Sequence, residues 1–363
     1  MTDPICFVNS LRTLGGAEFW TIDAALGLRE RGHPVSVVAQ PDSALLSRAR
    51  AAGLPTDAVP IRFDGAPWTL ARLCRVLHRR GARAVVCNLT KDLKAAGVAA
   101  RLCGVPVILA SRESDFPLKK KAYYRWYFTR VATGVLVNSL ATRATVLGSA
   151  PWLDPARVHL LYKGVDPERF RPAAVPGEPV AGFAGQLIER KGLRDLMAAW
   201  AQVETGAWSV PPRLRIAGEG PLAAELGRWR DRLRRPDRVE LLGLVEPIER
   251  FYAGLSLLAL PSREEGFGLV AAEAAACGLP VVATAASSLP ELVVDHETGL
   301  LVPPRDPAGL ARAISRLLGD RALATRLGAR GRARVLERFT RARMLDALEA
   351  LLDGARERRG RPA

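Results

Sequence analysis

Histidine and cysteine are scarce in this chain of 363 residues, which has four of the first (His33, His78, His159, His296) and five of the second (Cys6, Cys74, Cys87, Cys103, Cys277). The cysteines stand singly in apolar surroundings, with no C-x-x-C spacing and no histidine cluster, which argues against a zinc site and reads them as reduced packing residues. No uncharged apolar run approaches the ~18 residues that a membrane-spanning helix needs. A strand-like segment begins within five residues of the N-terminus, with no basic leader ahead of it, so the protein is expected to remain in the cytoplasm. Asp-x-Asp occurs nowhere, and the composition matches neither a disordered chain nor a fibre.

What is abundant is positive charge, and it is unevenly shared. Residues 1–177 hold 25 Lys and Arg against 13 Asp and Glu, a net +12, whereas residues 178–363 hold 28 against 24, a net +4.

At this length, with 48% apolar residues, two cores are expected. Apolar strand-like runs alternate with helical patterns, at 5–9, 35–39, 84–89, 107–110, 135–138 and 158–162, then at 180–184, 214–217, 239–242, 255–260, 281–283 and 299–302. Continuous apolar strands in β-α alternation predict parallel sheets covered by helices on both faces, one in each half. Residues 166–179 contain Pro167, Pro172, Pro176, Pro179 and Gly177, which is linker chemistry. The expected division is 1–170, 171–340 and a helix within 341–363, after helices at 307–318 and 321–337.

The most informative run is Pro261-Ser262-Arg263-Glu264-Glu265-Gly266-Phe267-Gly268-Leu269-Val270-Ala271-Ala272-Glu273-Ala274-Ala275-Ala276-Cys277-Gly278. Glu265 and Glu273 are separated by seven residues that are all Gly, Phe, Leu, Val or Ala. The pattern places Glu265 in a glycine loop and Glu273 on a helix over 269–277, ended by Gly278. A carboxylate among Ala, Leu and Cys needs a polar partner, either a neighbouring Arg, a backbone cap or a ligand.

This run resembles the E-x7-E signature of the retaining glycosyltransferases of family 4. Four further motifs agree in order: Leu14-Gly15-Gly16-Ala17-Glu18, Lys163-Gly164-Val165-Asp166 (where the family usually has Asn first), Gly185-Gln186-Leu187-Ile188-Glu189-Arg190-Lys191-Gly192, and Ala217-Gly218-Glu219-Gly220-Pro221. The resemblance implies the GT-B fold, two doubly wound Rossmann-like α/β domains facing across a cleft, with the last helix crossing back to the first domain. It also implies a nucleotide-sugar donor as substrate, with no cofactor and no metal.

Carried over residue by residue, Lys191 and Glu265 are the expected catalytic pair. Lys191 would neutralise the departing diphosphate, and Glu265 with the backbone N–H groups of Gly266, Phe267, Gly268 and Leu269 would hold the donor sugar. Glu273 would accept from the ribose hydroxyls, Gly15 and Gly16 would offer N–H groups to the phosphates, and 242–245 is where the base would lie. Gln186 replaces the Arg usual at that point of the family, which leaves Arg190 as a candidate substitute. Glu18 and Arg112 fall on the acceptor side. Arg112 lies in Ser111-Arg112-Glu113-Ser114-Asp115, where many relatives carry a His, and it is read either as a contact to an anionic acceptor or as a salt bridge to Glu113 or Asp115.

Residues 119–130 pack five cations and five aromatics together. At helical spacing Tyr124, Tyr127, Phe128 and Val131 share a face, with Lys121 and Arg125 beside it and Trp126 opposite. A basic helix with aromatic residues suits an anionic membrane surface, with Lys119, Lys120, Lys121, Arg125 and Trp126 touching it, and a core helix with a solvated basic face is the other reading. The expected acceptor is a lipid-linked or cell-envelope glycan, reached by peripheral attachment to the inner face of the cytoplasmic membrane. A nucleotide-sugar epimerase or a phosphorylase on the same scaffold is an alternative, although no motif supports a pyridoxal lysine. No nucleic-acid motif accompanies the basic balance, and a nucleic-acid binder would leave Glu265, Glu273 and the glycine loops without a purpose.

Overall fold

The computed structural model of the chain describes residues 3–12, 15–61, 66–174 and 176–360, apart from the side chains of 355–360. Leu14 of the first glycine motif lies outside these residues. The chain forms two compact units, Met1–Lys163 with Ala342–Ala363, and Gly164–Arg341.

The first unit is a parallel sheet of β1 (Ile5–Asn9), β2 (Val35–Ala39), β3 (Thr56–Ala58), β4 (Ala84–Cys87), β5 (Val107–Arg112), β6 (Gly134–Val137) and β7 (Val158–Leu160). The order is β3-β2-β1-β4-β5-β6-β7. The inner strands β1, β4 and β6, and β2 beside them, are buried along their whole length, as a sheet covered on both faces requires. On one face Trp20, Ala24 and Leu28 of the helix Gly16–Glu30 join Met344, Leu345, Leu348 and Leu352 of the last helix in one apolar cluster. The other face packs Leu73, Val76 and Leu77 of the helix Pro67–Arg79 with Phe128 and Val131.

The second unit repeats the pattern with β8 (Val180–Ala184), β9 (Arg213–Ala217), β10 (Val239–Gly243), β11 (Leu257–Leu260), β12 (Val281–Thr284) and β13 (Gly299–Val302). Its order is β10-β9-β8-β11-β12-β13. In each unit the winding reverses beside the first strand, between β1 and β4 and between β8 and β11. A doubly wound sheet opens its ligand crevice at that point, outside the carboxyl ends of the strands.

Differences from the sequence expectation are local. β3 was not expected, because Thr-Asp-Ala is too short and polar to read as a strand. β4 stops at Cys87 rather than at 89, since the Leu89 N–H turns away to the Asp92 carboxylate, 3.0 Å distant. Cys103 is exposed rather than packed. No described helix is long and apolar enough to cross a membrane.

Candidate functional site

In the second unit, the loops after β8 and β11 bring the two expected catalytic residues together. A short 3-10 turn, Glu189–Lys191, follows β8 and ends at Gly192, whose φ of 70° is left-handed. A Cβ at Gly192 would stand 1.8 Å from the Pro261 carbonyl oxygen, so only glycine lets this loop lie against the one after β11. A backbone bond from Arg263 N–H to the Arg190 carbonyl, 2.8 Å, fastens the two loops. Lys191 Nζ then reaches Glu265 Oε1 at 2.5 Å, and the Ser262 hydroxyl donates to the same oxygen at 2.9 Å. Both side chains are largely buried, Lys191 at 12% and Glu265 at 7% exposure.

The loop carrying Glu265 is held from below. The Thr284 hydroxyl donates to the Ser262 carbonyl, and the Ser288 hydroxyl donates to the Glu265 carbonyl at 3.3 Å. Gly266, Phe267 and Gly268 are buried, with the Phe267 ring edge-on to Phe339 at 5.7 Å. Gly268, with φ of 89°, opens the helix Leu269–Ala276, and no side chain caps it. The first N–H groups of a helix have no intrahelical partner, and together with the dipole they favour an anion or a hydroxyl oxygen.

Glu273 lies one turn into that helix, and the Tyr252 hydroxyl donates to its Oε2 at 2.7 Å. Burial pushes the Glu273 carboxyl up to about 7, against the pull of the Tyr252 bond and the Arg169 charge. Its partner is therefore a tyrosine rather than the arginine or backbone cap considered from sequence. Little could have signalled this, since Tyr252 lies 21 positions upstream in the five-residue helix Glu249–Ala253.

Arg190 donates to the Glu264 carbonyl at 3.5 Å, and Gln186 is exposed on the same loop. Gly218 supports that loop from the β9 side, where a Cβ would come within 1.9 Å of the Gly185 carbonyl oxygen. Leu242 and Leu244, in the loop expected near the base, are exposed.

In the first unit, Gly15 and Gly16 begin the helix Gly16–Glu30, which also lacks a side-chain cap. Glu18 is 2% exposed and accepts from Asn9 Nδ2 at 2.9 Å, and burial raises its carboxyl above the usual range. Lys163 is also buried. Its ammonium lies 2.6 Å from Glu113 Oε2, and burial holds its pKa down to about 8 although Glu113 and Glu18 oppose this. Since Lys163 takes Glu113, Arg112 instead donates to the Thr90 hydroxyl at 3.3 Å and the Phe116 carbonyl at 2.7 Å. Sequence reasoning missed Asp92, a buried carboxyl pushed up to about 7 by burial, which accepts from two backbone N–H groups.

Lys119, Lys120, Lys121, Arg125 and Trp126 are all exposed, while Tyr124, Phe128 and Val131 face the core. Phe116 and Tyr123 add exposed rings beside them, and Lys94 lies 5.3 Å from the Tyr123 ring centroid. Among the described residues, no group of three or more His, Cys, Asp or Glu is placed to hold a metal ion.

Comparison with known proteins places these motifs in a wider setting. Residues 178–320 match the family described as glycosyl transferases group 1, and residues 14–169 match glycosyltransferase family 4. The D-inositol 3-phosphate glycosyltransferase of Streptomyces bingchenggensis is 35% identical over 212 residues, 51% of this chain and 45% of that protein. D-inositol 3-phosphate glycosyltransferase 1 of Catenulispora acidiphila is 36% identical over 249 residues, 62% of this chain and 59% of that protein. The chain thus spans about half the length of these relatives. Anabaena HepE, solved with UDP-glucose, superposes with a TM-score of 0.85 over 97% of this chain and 99% of its own, at 22% identity. At that identity the likeness establishes the fold, which is GT-B.

Proposed function

The chain belongs to the group 1, family 4 glycosyltransferases, and from that premise we propose that it moves a sugar, with retention of configuration, from a nucleotide-sugar donor to an acceptor hydroxyl. The observation that carries the reading is the Lys191–Glu265 pair, set beside the uncapped start of the helix that bears Glu273. Donor recognition belongs to the second unit. Lys191 and the N–H groups at that helix start neutralise the diphosphate as it departs, which is where charge develops in the transition state. Lys191 and Ser262 both bond Glu265 Oε1, so Glu265 Oε2 is the atom assigned to a sugar hydroxyl. Glu273 accepts from the ribose hydroxyls. The acceptor oxygen forms its bond to the anomeric carbon on the face from which the phosphate leaves, and a phosphate oxygen takes the proton. No protein base is required in this scheme.

The acceptor is a lipid-linked or cell-envelope glycan, reached from an anionic membrane surface through Lys119, Lys120, Lys121, Arg125 and Trp126. Their exposure beside Phe116 and Tyr123 supports this. A second reading, a small polyol phosphate, is favoured by the names of the relatives and by the Arg112 guanidinium on the acceptor side.

Calorimetry with UDP-, GDP- and ADP-sugars tests the donor site. Selective binding that Lys191→Ala and Glu273→Gln both weaken supports the proposal, and NMR of the product anomer tests retention. An absence of binding across the panel would overturn it.

A further inference from the structure

At the carboxyl end of the first unit's sheet, the central strands each present one polar residue toward the face covered by the helix Gly16–Glu30. Asn9 ends β1, Asn88 follows β4, Ser111 lies in β5 and Asn138 follows β6. Each lies two residues beyond Phe7, Val86, Leu109 or Leu136 of the apolar cluster on that face, and so points to the same side. Three of the four have their partners within the protein. Asn9 bonds Glu18 and the Leu11 N–H, Ser111 donates to Glu113, and Asn138 donates to the Glu113 carbonyl while accepting from the Thr142 hydroxyl.

Asn88 differs. It is 2% exposed, and neither its amide oxygen nor its amide nitrogen has a hydrogen-bond partner. Buried amides are almost always paired, and one left open calls for a reason. Its position supplies one. Asn88 stands where β1 and β4 part and the winding reverses, which is the ligand crevice of this half of the fold.

The surroundings are firm. The Asp92 carboxylate accepts the N–H of Ser10 at 3.1 Å and of Leu89 at 3.0 Å, stitching the loop after β1 to the loop after β4. Over the same loop, Arg112 is tied to Thr90 by Nη1 and leaves a buried Nε without a partner.

We infer that Asn88 is the acceptor-recognising residue of the first unit, and that its ligand is a saccharide or cyclic polyol with adjacent hydroxyls. An amide offers an acceptor and two donors side by side, and neighbouring hydroxyls, each able to donate and accept, complement both. The inference rests on the transferase reading for the meaning of acceptor, and it goes beyond it in naming the residue and the ligand chemistry.

Saturation-transfer NMR with methyl α-D-glucoside and with myo-inositol tests it on the full chain, alongside calorimetry of the UDP-, GDP- and ADP-sugar panel on the same samples. Transfer to a polyol is expected with the wild-type protein and at least tenfold weaker binding with Asn88→Leu, at unchanged nucleotide-sugar affinity. The melting temperature of Asn88→Leu should stay level or rise, because the substitution removes an unpaired amide. Asn88→Asp, which keeps the size but loses the donors, should weaken binding likewise and serves if the leucine variant does not fold. A wild-type protein that gives no transfer to either polyol overturns the inference. So do polyol signals that survive both substitutions. A protein that binds no nucleotide-sugar defeats the transferase reading instead, whatever the polyol signals show.

Discussion

The Lys163 ammonium lies 3.4 Å from the centroid of the Trp20 ring, so the last residue of the first unit's N-terminal part sits on the helix that follows β1. Cation–π attraction and the Glu113 carboxylate hold a lysine that burial would otherwise discharge.

That balance predicts a pH dependence. With a pKa near 8 in the folded protein against an ordinary 10.5, Lys163 binds its proton less well folded than unfolded. Its contribution to stability is therefore least favourable below pH 8 and improves as pH rises toward 10.5. Urea unfolding of wild type and Lys163→Met at the two ends of that window should show the difference between them shifting by about 2–3 kcal/mol in favour of the wild type at high pH. A constant difference would mean that the lysine does not titrate there.

Glu273 gives the converse case. Its folded pKa of about 7 exceeds the ordinary 4.5, so the folded state holds the proton longer, and stability is lost as pH rises through that range. Glu273→Gln, which can still accept from Tyr252, should be more stable than wild type at pH 8 by about 1–3 kcal/mol and equal to it near pH 4. Nucleotide-sugar affinity should fall in the same variant. Thermal melts at the two pH values separate the stability effect from the binding effect.

Lys191→Ala leaves Glu265 buried without its cation, a change that typically costs about 3–5 kcal/mol. The double variant Lys191→Met, Glu265→Gln should recover most of that loss while binding donor no better than the single one. Urea midpoints that show no recovery in the double variant would mean that the pair contributes little beyond packing.

For the basic aromatic segment, sedimentation with vesicles is the direct measurement. The wild-type protein is expected to bind anionic vesicles in preference to neutral ones, less so at high salt, and Trp126→Ala with Lys119→Glu, Lys120→Glu and Lys121→Glu should abolish the preference. Equal binding to both lipids by the wild type would remove the membrane from the proposal.

Much of this architecture was legible in the sequence because the strands are buried on both sides and so read as unbroken apolar runs, as at 35–39 and 180–184. The glycine motifs were legible for a related reason: Gly192 and Gly218 stand where another backbone leaves no room for a Cβ. Partnerships across the chain were not. Tyr252 meets Glu273, and Lys163 meets Trp20 and Glu113, through strand order and helix docking that no local spacing reports. Arg112 shows the same limit, since its neighbour in sequence, Glu113, is claimed by a lysine fifty positions away. Asn88 carried no signal at all, because an asparagine after a strand reads as an ordinary turn residue.

The apolar face of the first unit is closed by Met344, Leu345, Leu348 and Leu352, which pack with Trp20, Ala24 and Leu28. In order of synthesis these two sets of residues are separated by the whole of the second unit. Translation therefore inverts the usual sequence in which domains mature from the N-terminus. The contiguous second unit has all its residues in hand and can finish first, while the older half waits on the ribosome with Trp20 and its neighbours uncovered. Until the last helix has been made, the apolar surface around Trp20, Ala24 and Leu28 lacks the residues that cover it.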